Sequence, residues 1–321
     1  MQFFVRYFLF PFSALITYGI YAFFIYHDTL HAQLGPILTD FIAFVAALTA
    51  LSIVLLGFEW RHRSQHYELN TRQRVTDFAF ATWSIVFLGI FHPLLLFIPE
   101  GGLFPGALPF ADLPIWAQIL WGTAFHDLLL YWWHRLEHET GDSFLWKLHL
   151  GHHAPRRLTV LSGARAHTFD LLSLIVVLAI TRSLGMSNEA FFWVMFHPTA
   201  LGGIHHSNLD MRLGVFNYIF PGPEMHRAHH RQEMDQALNY ASVWPMWDWV
   251  FGTLVAPAPA EGTEMGIWYI DDEAETFGTI HTYPFSPGAS EAVKAANLAR
   301  ERRLGRKPGA LRPTASTPPS T

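Results

Sequence analysis

The chain has 321 residues, of which 51% are hydrophobic and only 15% are charged, whereas about 25% are charged in ordinary soluble domains. This balance predicts a polytopic membrane protein rather than a soluble domain. The formal net charge of −5 argues against nucleic acid as a partner. Because the chain contains no Cys, disulfides, cysteine-ligated clusters and thiolate nucleophiles are excluded.

Four apolar stretches are each long enough to cross a bilayer as a helix, which takes about 20 residues. They occupy residues 7–26, 35–58, 78–98 and 115–133. A secretory signal peptide is the competing interpretation of the first stretch, but its apolar run is too long and further spans follow it. The dipeptide His92-Pro93 interrupts the third stretch, and proline there predicts a kink.

The loops between these stretches differ in their content of basic residues. The loop at 59–75 contains Arg61, Arg63, Arg72 and Arg74, whereas residues 99–114 contain neither Lys nor Arg. The positive-inside rule therefore predicts that the first of these loops, the N-terminus and the end of the fourth span are cytoplasmic.

Beyond the fourth span, two shorter apolar segments at 171–184 and 189–203 predict a re-entrant helical hairpin. Residues 290–304 predict a short basic helix, followed by a disordered tail. The predicted fold is all-α, with about four transmembrane helices, the hairpin and a cytoplasmic histidine-rich helical cap. The predicted organisation is N-terminal transmembrane helices at 1–114, a catalytic region at 115–255 and a C-terminal segment at 256–321.

Thirteen of the 19 histidines lie between positions 126 and 230. Eight of them form three runs, which are His134 with His138, His149 with His152-His153, and His226 with His229-His230. On a helix, positions i, i+3 and i+4 fall within an arc of about 100°, so each run is expected to aim its imidazoles at one point. Eight nitrogen ligands are more than one tetrahedral zinc site uses, which favours two metal ions. Neutral imidazole also tolerates burial and binds Fe, Zn, Cu and Ni.

The residues around these runs carry a family resemblance. The segment from Asp127 through Tyr131-Trp132 to His134 and His138 resembles the first histidine box of the fatty acid hydroxylase/sterol desaturase superfamily. The second and third runs match its other two boxes, and Asn239-Tyr240 and the segment 247–253 are also similar to it. The resemblance covers roughly residues 120–255 and implies a membrane-bound di-iron oxygenase.

The resemblance adds two histidines to the expected ligands. His206 occupies a family position and is expected to bind metal, and His167 is a further candidate, with a helix-end role as its alternative. Residues expected to support the ligands without binding metal are Asp127, His205, Asn208, Asn239 and Asp248. Asp127 lies seven residues before His134 on the same helical face and is expected to accept a proton from a ligand imidazole.

The sequence departs from the family pattern at several positions. Thr168 stands where Pro is usual, Asp170 where Glu is usual, and Ala241 where Gly is usual. No expected ligand is lost through these differences. They leave the subfamily open, and with it the choice among sterol, fatty acyl, ether-lipid and carotenoid substrates.

The resemblance implies that two iron ions and O2 hydroxylate or desaturate an unactivated C–H bond of a lipid in the bilayer. Zinc is the ion that could replace iron in purified protein. The chain contains no G-x-G-x-x-G motif and no Cys, so two electrons must come from an external donor, a ferredoxin or a cytochrome with its reductase. A bacterial inner membrane or an organelle membrane is the expected location.

Two other functions compete with an oxygenase. A membrane metal-binding or transport protein would place its ligands near the bilayer midplane, whereas these boxes flank the spans. A zinc-dependent membrane hydrolase needs only three protein ligands and an open position, which is far fewer than the histidines present here.

Overall fold

The computed structural model describes residues 1–65, 70–103, 110–139, 143–232, 238–258, 262–267 and 275–286, with isolated positions 291 and 295. Over these residues the predicted all-α fold is confirmed, and the only extended pairing is a single bridge between Arg231 and Met265. The predicted basic helix at 290–304 and the predicted tail lie outside the described residues.

The described residues form twelve α-helices. They are α1 (Gln2–Tyr7), α2 (Leu9–Ile25), α3 (Asp28–Leu34), α4 (Pro36–His62), α5 (Thr71–Phe91), α6 (Ile115–Glu139), α7 (Phe144–His153), α8 (Thr168–Arg182), α9 (Asn188–His205), α10 (Pro223–His229), α11 (Met246–Val250) and α12 (Phe277–Thr282). Short 3₁₀ turns lie at Pro93–Phe97, Ser162–Ala164, Gly214–Tyr218 and Tyr283–Phe285.

Two helical stretches are long and apolar enough to cross a membrane, namely Ile37–His62 in α4 and Thr71–Phe97, which joins α5 to its 3₁₀ extension. Helices α2 and α3 provide a third if the pair, bent by 59°, counts as one span. Helix α6 covers the fourth predicted stretch but is not among these candidates in the described residues. The kink predicted at His92-Pro93 appears as the change from α5 to 3₁₀ geometry, since proline supplies no backbone N–H.

Helix α9 is the centre of the packing. It contacts α2, α4, α6 and α10, and its Phe191 and Phe196 are fully buried. The ring of Tyr21 on α2 stacks on Phe196 at a centroid distance of 4.1 Å. Helices α8 and α9 cover the two segments of the predicted hairpin and are joined through Gly185, whose φ of +91° favours glycine. Both pack mainly on α6 rather than on each other, so they do not form a closed hairpin. The first half of α9 is thus a core helix surrounded by the others.

The segments that carry the histidine boxes meet one end of this helical bundle. Glu59, near the end of α4, accepts hydrogen bonds from the backbone N–H groups of Val160 and Asn208, at 3.1 and 2.6 Å. Near the start of α5, Asp77 accepts a 2.6 Å hydrogen bond from the buried guanidinium of Arg165. These contacts place the boxes together on one side of the apolar helices. That this side is cytoplasmic remains a prediction.

Candidate metal centre

Nine of the ten histidines expected to bind metal lie in two adjoining clusters. In each cluster, one ring nitrogen from every member lies within 4.8 Å of those from the others. The five-histidine cluster consists of His134, His138, His149, His153 and His229. The four-histidine cluster consists of His152, His206, His226 and His230. The rings of His153 and His230 stack across the boundary at 4.2 Å, so the two clusters are in contact.

The expectation that each run aims its imidazoles at one point is wrong for the second and third boxes. His149 and His153, at i and i+4, share the five-histidine cluster, whereas His152 between them belongs to the other. In the third box, His226 and His230 belong to the four-histidine cluster, whereas His229 between them belongs to the five-histidine cluster. Consecutive residues on a helix point about 100° apart, so each His-His dipeptide supplies both clusters.

The four-histidine cluster brings its Nε2 atoms very close together. The Nε2 of His226 lies 2.8 Å from that of His206 and 3.0 Å from that of His230. The Nε2 of His152 is 3.2 Å from that of His206. Four basic nitrogens aimed at one small volume are the donor set expected around a transition-metal ion.

Backbone carbonyl groups orient several of these rings. The Nδ1 of His134 is 2.9 Å from the Tyr240 oxygen, and the Nδ1 of His229 is 3.1 Å from the Leu238 oxygen. In the other cluster, the Nδ1 of His206 lies 2.7 Å from the Gly202 oxygen. A carbonyl accepts from Nδ1–H, so each of these rings turns an unprotonated Nε2 towards its cluster, the usual arrangement of a metal-bound histidine.

The protonation states and the free nitrogens also fit a metal ion. Burial lowers the pKa of His206 to about 4 and holds those of His153 and His229 well below the ordinary range. These imidazoles are therefore neutral, as metal ligands must be. The buried Nε2 atoms of His134, His153 and His229 have no hydrogen-bond partner among the described residues. Such orphaned nitrogens are costly unless something binds them.

Two carboxyl groups lie behind the five-histidine cluster. The Nδ1 of His149 is 3.4 Å from Glu137 and 3.8 Å from Asp170, and the three residues form a third close group. Burial and the adjacent Asp170 raise the pKa of Glu137 well above its ordinary value. Asp170 is the residue that replaces the family's glutamate, and here it faces a cluster histidine.

Asp127 and Asp248 do not contact the imidazoles, contrary to the expectation for Asp127. Asp127 accepts hydrogen bonds of 2.9–3.0 Å from the backbone N–H groups of Ser242, Val243 and Trp244. Asp248 accepts from the backbone N–H groups of Tyr240 and Ala241 and from the Thr253 hydroxyl. The two acids therefore hold the segment that supplies the Tyr240 carbonyl to His134, and they act one step further from the cluster.

Asn239 supports the same segment from its other side. It has a φ of +69°, a conformation that asparagine tolerates better than most residues. Its side-chain oxygen accepts a 2.8 Å hydrogen bond from the Val255 N–H, and its amide group donates to the Met225 and Val255 carbonyls. Asn239 thus connects the segment after the third box to the helix that carries this box.

His167, His205 and Asn208 lie outside both clusters. His167 caps α8, where its Nδ1 accepts from the Phe169 N–H at 3.1 Å, and its Nε2 is 3.2 Å from the His281 oxygen. The helix-end alternative therefore describes His167, and its expected place among the ligands is wrong. His205 packs at a ring distance of 5.6 Å from His226. Asn208 accepts from the Ser64 hydroxyl and the Gln65 N–H and so anchors the end of α4.

Three features of the site escaped the sequence interpretation. The carbonyl groups of Tyr240 and Leu238 orient cluster histidines, and backbone groups leave no residue-type signal. His281 lies 4.7 Å from His167 between ring centroids and 2.9 Å from the Thr168 hydroxyl, far from the boxes in sequence. A Cβ on Gly163 would lie 2.5 Å from Cγ of His206, so the ring requires glycine there.

Comparison with known proteins agrees with this geometry. Residues 119–253, which contain all three boxes, match the family model for fatty acid hydroxylase. The resemblance to the fatty acid hydroxylase/sterol desaturase superfamily is thus confirmed over these residues. Together with the apolar helices, it indicates a membrane protein.

Several curated proteins are similar to this chain. An ornithine lipid hydroxylase of Rhizobium tropici is 33% identical over 156 residues, which are 48% of this chain and 46% of the relative. A methylsterol monooxygenase of Arabidopsis thaliana is 28% identical over 149 residues, 44% and 55% of the two chains. A very-long-chain aldehyde decarbonylase of Oryza sativa is 25% identical over 236 residues, 69% and 84% of the two chains.

The chain thus spans about half the length of the first two relatives. No solved structure matches it. The family-model match covers the histidine boxes and not the first apolar helices, so this similarity concerns the region of the metal centre above all.

Proposed function

We propose that the protein is a membrane-bound di-iron oxygenase that hydroxylates an unactivated C–H bond of a lipid, with O2 and two electrons from an external donor. The observation that carries this proposal is the pair of adjoining clusters of five and four imidazoles. The names of two relatives, a lipid hydroxylase and a sterol monooxygenase, support the reaction and the substrate class. When bound, two iron ions would supply the reduction and cleavage of O2.

The proposed ligands are the nine clustered histidines. Their neutral rings bind metal without adding charge to a site from which water is largely excluded, since most of these side chains are buried. The Tyr240, Leu238 and Gly202 carbonyls keep the proton on Nδ1 and fix the direction of Nε2. We assign Glu137 and Asp170 the corresponding role at Nδ1 of His149.

Metal analysis tests the proposal directly. Protein purified in detergent from iron-supplemented cells is expected to contain about two iron ions per chain, because each cluster offers a complete donor set. Inductively coupled plasma mass spectrometry measures this ratio. A single zinc ion per chain would favour the hydrolase, and iron that exchanges across vesicles would favour transport.

Product analysis tests the reaction. Comparison of lipid extracts from a deletion strain and its parent, both grown under ¹⁸O2, is expected to reveal a lipid that gains one labelled hydroxyl group only when the protein is present. A lipid that instead loses two hydrogens and gains no label would identify a desaturase. If the extracts of the two strains contained the same lipids and no labelled hydroxyl group, an oxygenase would be contradicted.

Replacing Gly163 with alanine is expected to disturb the four-histidine cluster selectively. The new methyl carbon would lie 2.5–2.8 Å from three atoms of His206, so the ring must move. We expect the iron content to fall from about two ions towards one per chain. The matched control is Gly202→Ala, four residues before His206, which keeps the backbone carbonyl that orients this ring and has no atom within 4 Å of the added carbon. Equal iron content in both variants would contradict the assignment of His206.

A further inference from the structure

An exposed apolar surface lies beside the third box and outside the candidate spans. Residues 213–223 contain no charged side chain, and around the 3₁₀ turn Gly214–Tyr218 the large apolar side chains point outwards. We name this surface the apolar lip. Its members, between 40% and 75% exposed, are Val215, Phe216, Tyr218, Ile219 and Phe220. Contiguous exposed apolar groups of this kind mark a contact surface.

The apolar lip is tied firmly to the helix that carries the third box. Glu224, in the first turn of α10, accepts hydrogen bonds from the Leu213 N–H at 3.0 Å and from the Asn217 side chain. Asn217 in turn accepts a 3.1 Å hydrogen bond from the Gly222 N–H. Because Glu224 lies only two residues before His226, the position of the lip and the position of this histidine are coupled.

The other edge of the lip adjoins the N-terminal helix α1. The Arg212 N–H donates to the Arg6 carbonyl at 2.7 Å, and the Arg6 guanidinium contacts Asp210 at 2.7 Å. Helix α1 also exposes large aromatic side chains, with Phe3 at 67%. It leads directly into α2, the first half of the bent candidate span. The lip is therefore continuous with the surface from which an apolar helix enters the membrane.

The charges at this edge favour lipid as the occupant. Two partly exposed guanidinium groups, those of Arg6 and Arg212, contact the carboxylate of Asp210, and Glu224 also attracts Arg212. Partly exposed arginine side chains thus border an apolar and aromatic surface. This combination suits a bilayer interface, where aromatic rings lie at headgroup depth and arginine meets lipid phosphates.

We propose that the apolar lip is embedded in the interfacial layer of the bilayer, on the side where the metal clusters lie. It would fix the four-histidine cluster at the depth of the lipid acyl chains nearest the headgroups, so that a lipid reaches the cluster without crossing water. The consequence for substrate rests on the proposed function, whereas the depth of the lip does not.

Site-directed spin labelling tests this depth, and the absence of Cys from the chain makes every introduced thiol unique. The full chain carrying Phe216→Cys or Val215→Cys is labelled with a nitroxide and reconstituted into vesicles of phosphatidylcholine and phosphatidylglycerol. Ile53→Cys, 67% exposed within α4, is the membrane reference. Glu264→Cys, on an exposed loop next to the third box, is the water reference.

For each label, the measured quantity is the ratio of its collision rate with O2 to its collision rate with a water-soluble nickel chelate. This ratio is expected to be several-fold higher for the lip labels than for the Glu264→Cys label. A ratio equal to that of Glu264→Cys would overturn the proposal. Shielding from both reagents, with spin–spin broadening that disappears on dilution with unlabelled protein, would identify a second copy of the chain as the occupant and also overturn it. Iron content and product formation of the same variants show separately whether the proposed function fails.

Discussion

Alanine in place of His229 or His152 is expected to abolish O2-dependent product formation while the protein stays in the membrane. His229 belongs to the five-histidine cluster and His152 to the four-histidine cluster, so each variant damages a different site. Loss of a residue that only orients a ligand commonly costs 10–100-fold, so loss of a ligand is expected to reduce activity more than about 100-fold. Turnover of the lipid product, normalised to protein in the membrane fraction, measures this loss.

The control for these variants is His167→Ala. His167 was expected to be a ligand from the family resemblance, but it caps α8 and lies outside both clusters. We expect this variant to keep its iron and to lose about 1 kcal/mol of stability through the missing cap. Full activity in His229→Ala or His152→Ala would refute the site assignment, and loss of iron in His167→Ala would restore it as a ligand.

Replacing Asp127 with asparagine is expected to cause a large loss of stability. The carboxylate is fully buried and accepts from three backbone N–H groups between 242 and 244. The side-chain NH2 group of asparagine would face one of these backbone N–H groups, so two hydrogen-bond donors would lie opposite each other. Leaving buried N–H groups unsatisfied costs about 3 kcal/mol in total. Thermal or denaturant unfolding of the purified protein in detergent measures this cost.

The structure also predicts that this variant holds less iron. The displaced segment carries the carbonyl of Tyr240, which orients His134, so iron content is expected to fall together with stability. The matched control is Asp112→Asn, an exposed aspartate just before the same helix. Equal unfolding midpoints in the two variants would contradict the role assigned to Asp127.

The sequence predicted which histidines lie together better than it predicted how they are arranged. Clusters of histidine are rare in sequences, so the spacing of the three boxes and the family resemblance identified the nine histidines that lie together in the structure. Neither could show that His152 and His229 each lie in a different cluster from the other histidines of their box, because this depends on how α7 and α10 pack together. The distinction between His206 and His167 likewise required tertiary structure, since both stand at family positions and only His206 reaches a cluster.

The apolar helices illustrate a similar limit. Hydropathy located α2, α4 and α5 correctly, because a bilayer span leaves a long apolar run. It could not show that α9, which covers the second segment of the predicted hairpin, packs on protein through its contacts with α2, α4 and α6. The roles of Asp127 and Asp248 were also out of reach, because carboxylates that bind backbone N–H groups have the same sequence signature as carboxylates that bind imidazoles.

The sharing of each His-His dipeptide between the clusters has a consequence for how the centre assembles. If two ions bind as proposed, an ion held by His153 and His229 would immobilise the helix turns that present His152 and His230 to the neighbouring ion. The conformational entropy of ordering α7 and α10 would then be lost only once, with the first ion, and the second ion would bind to a site already ordered. With both clusters intact, a half-loaded chain would therefore be rare, whereas a variant that damages one cluster, such as Gly163→Ala, would still hold one ion.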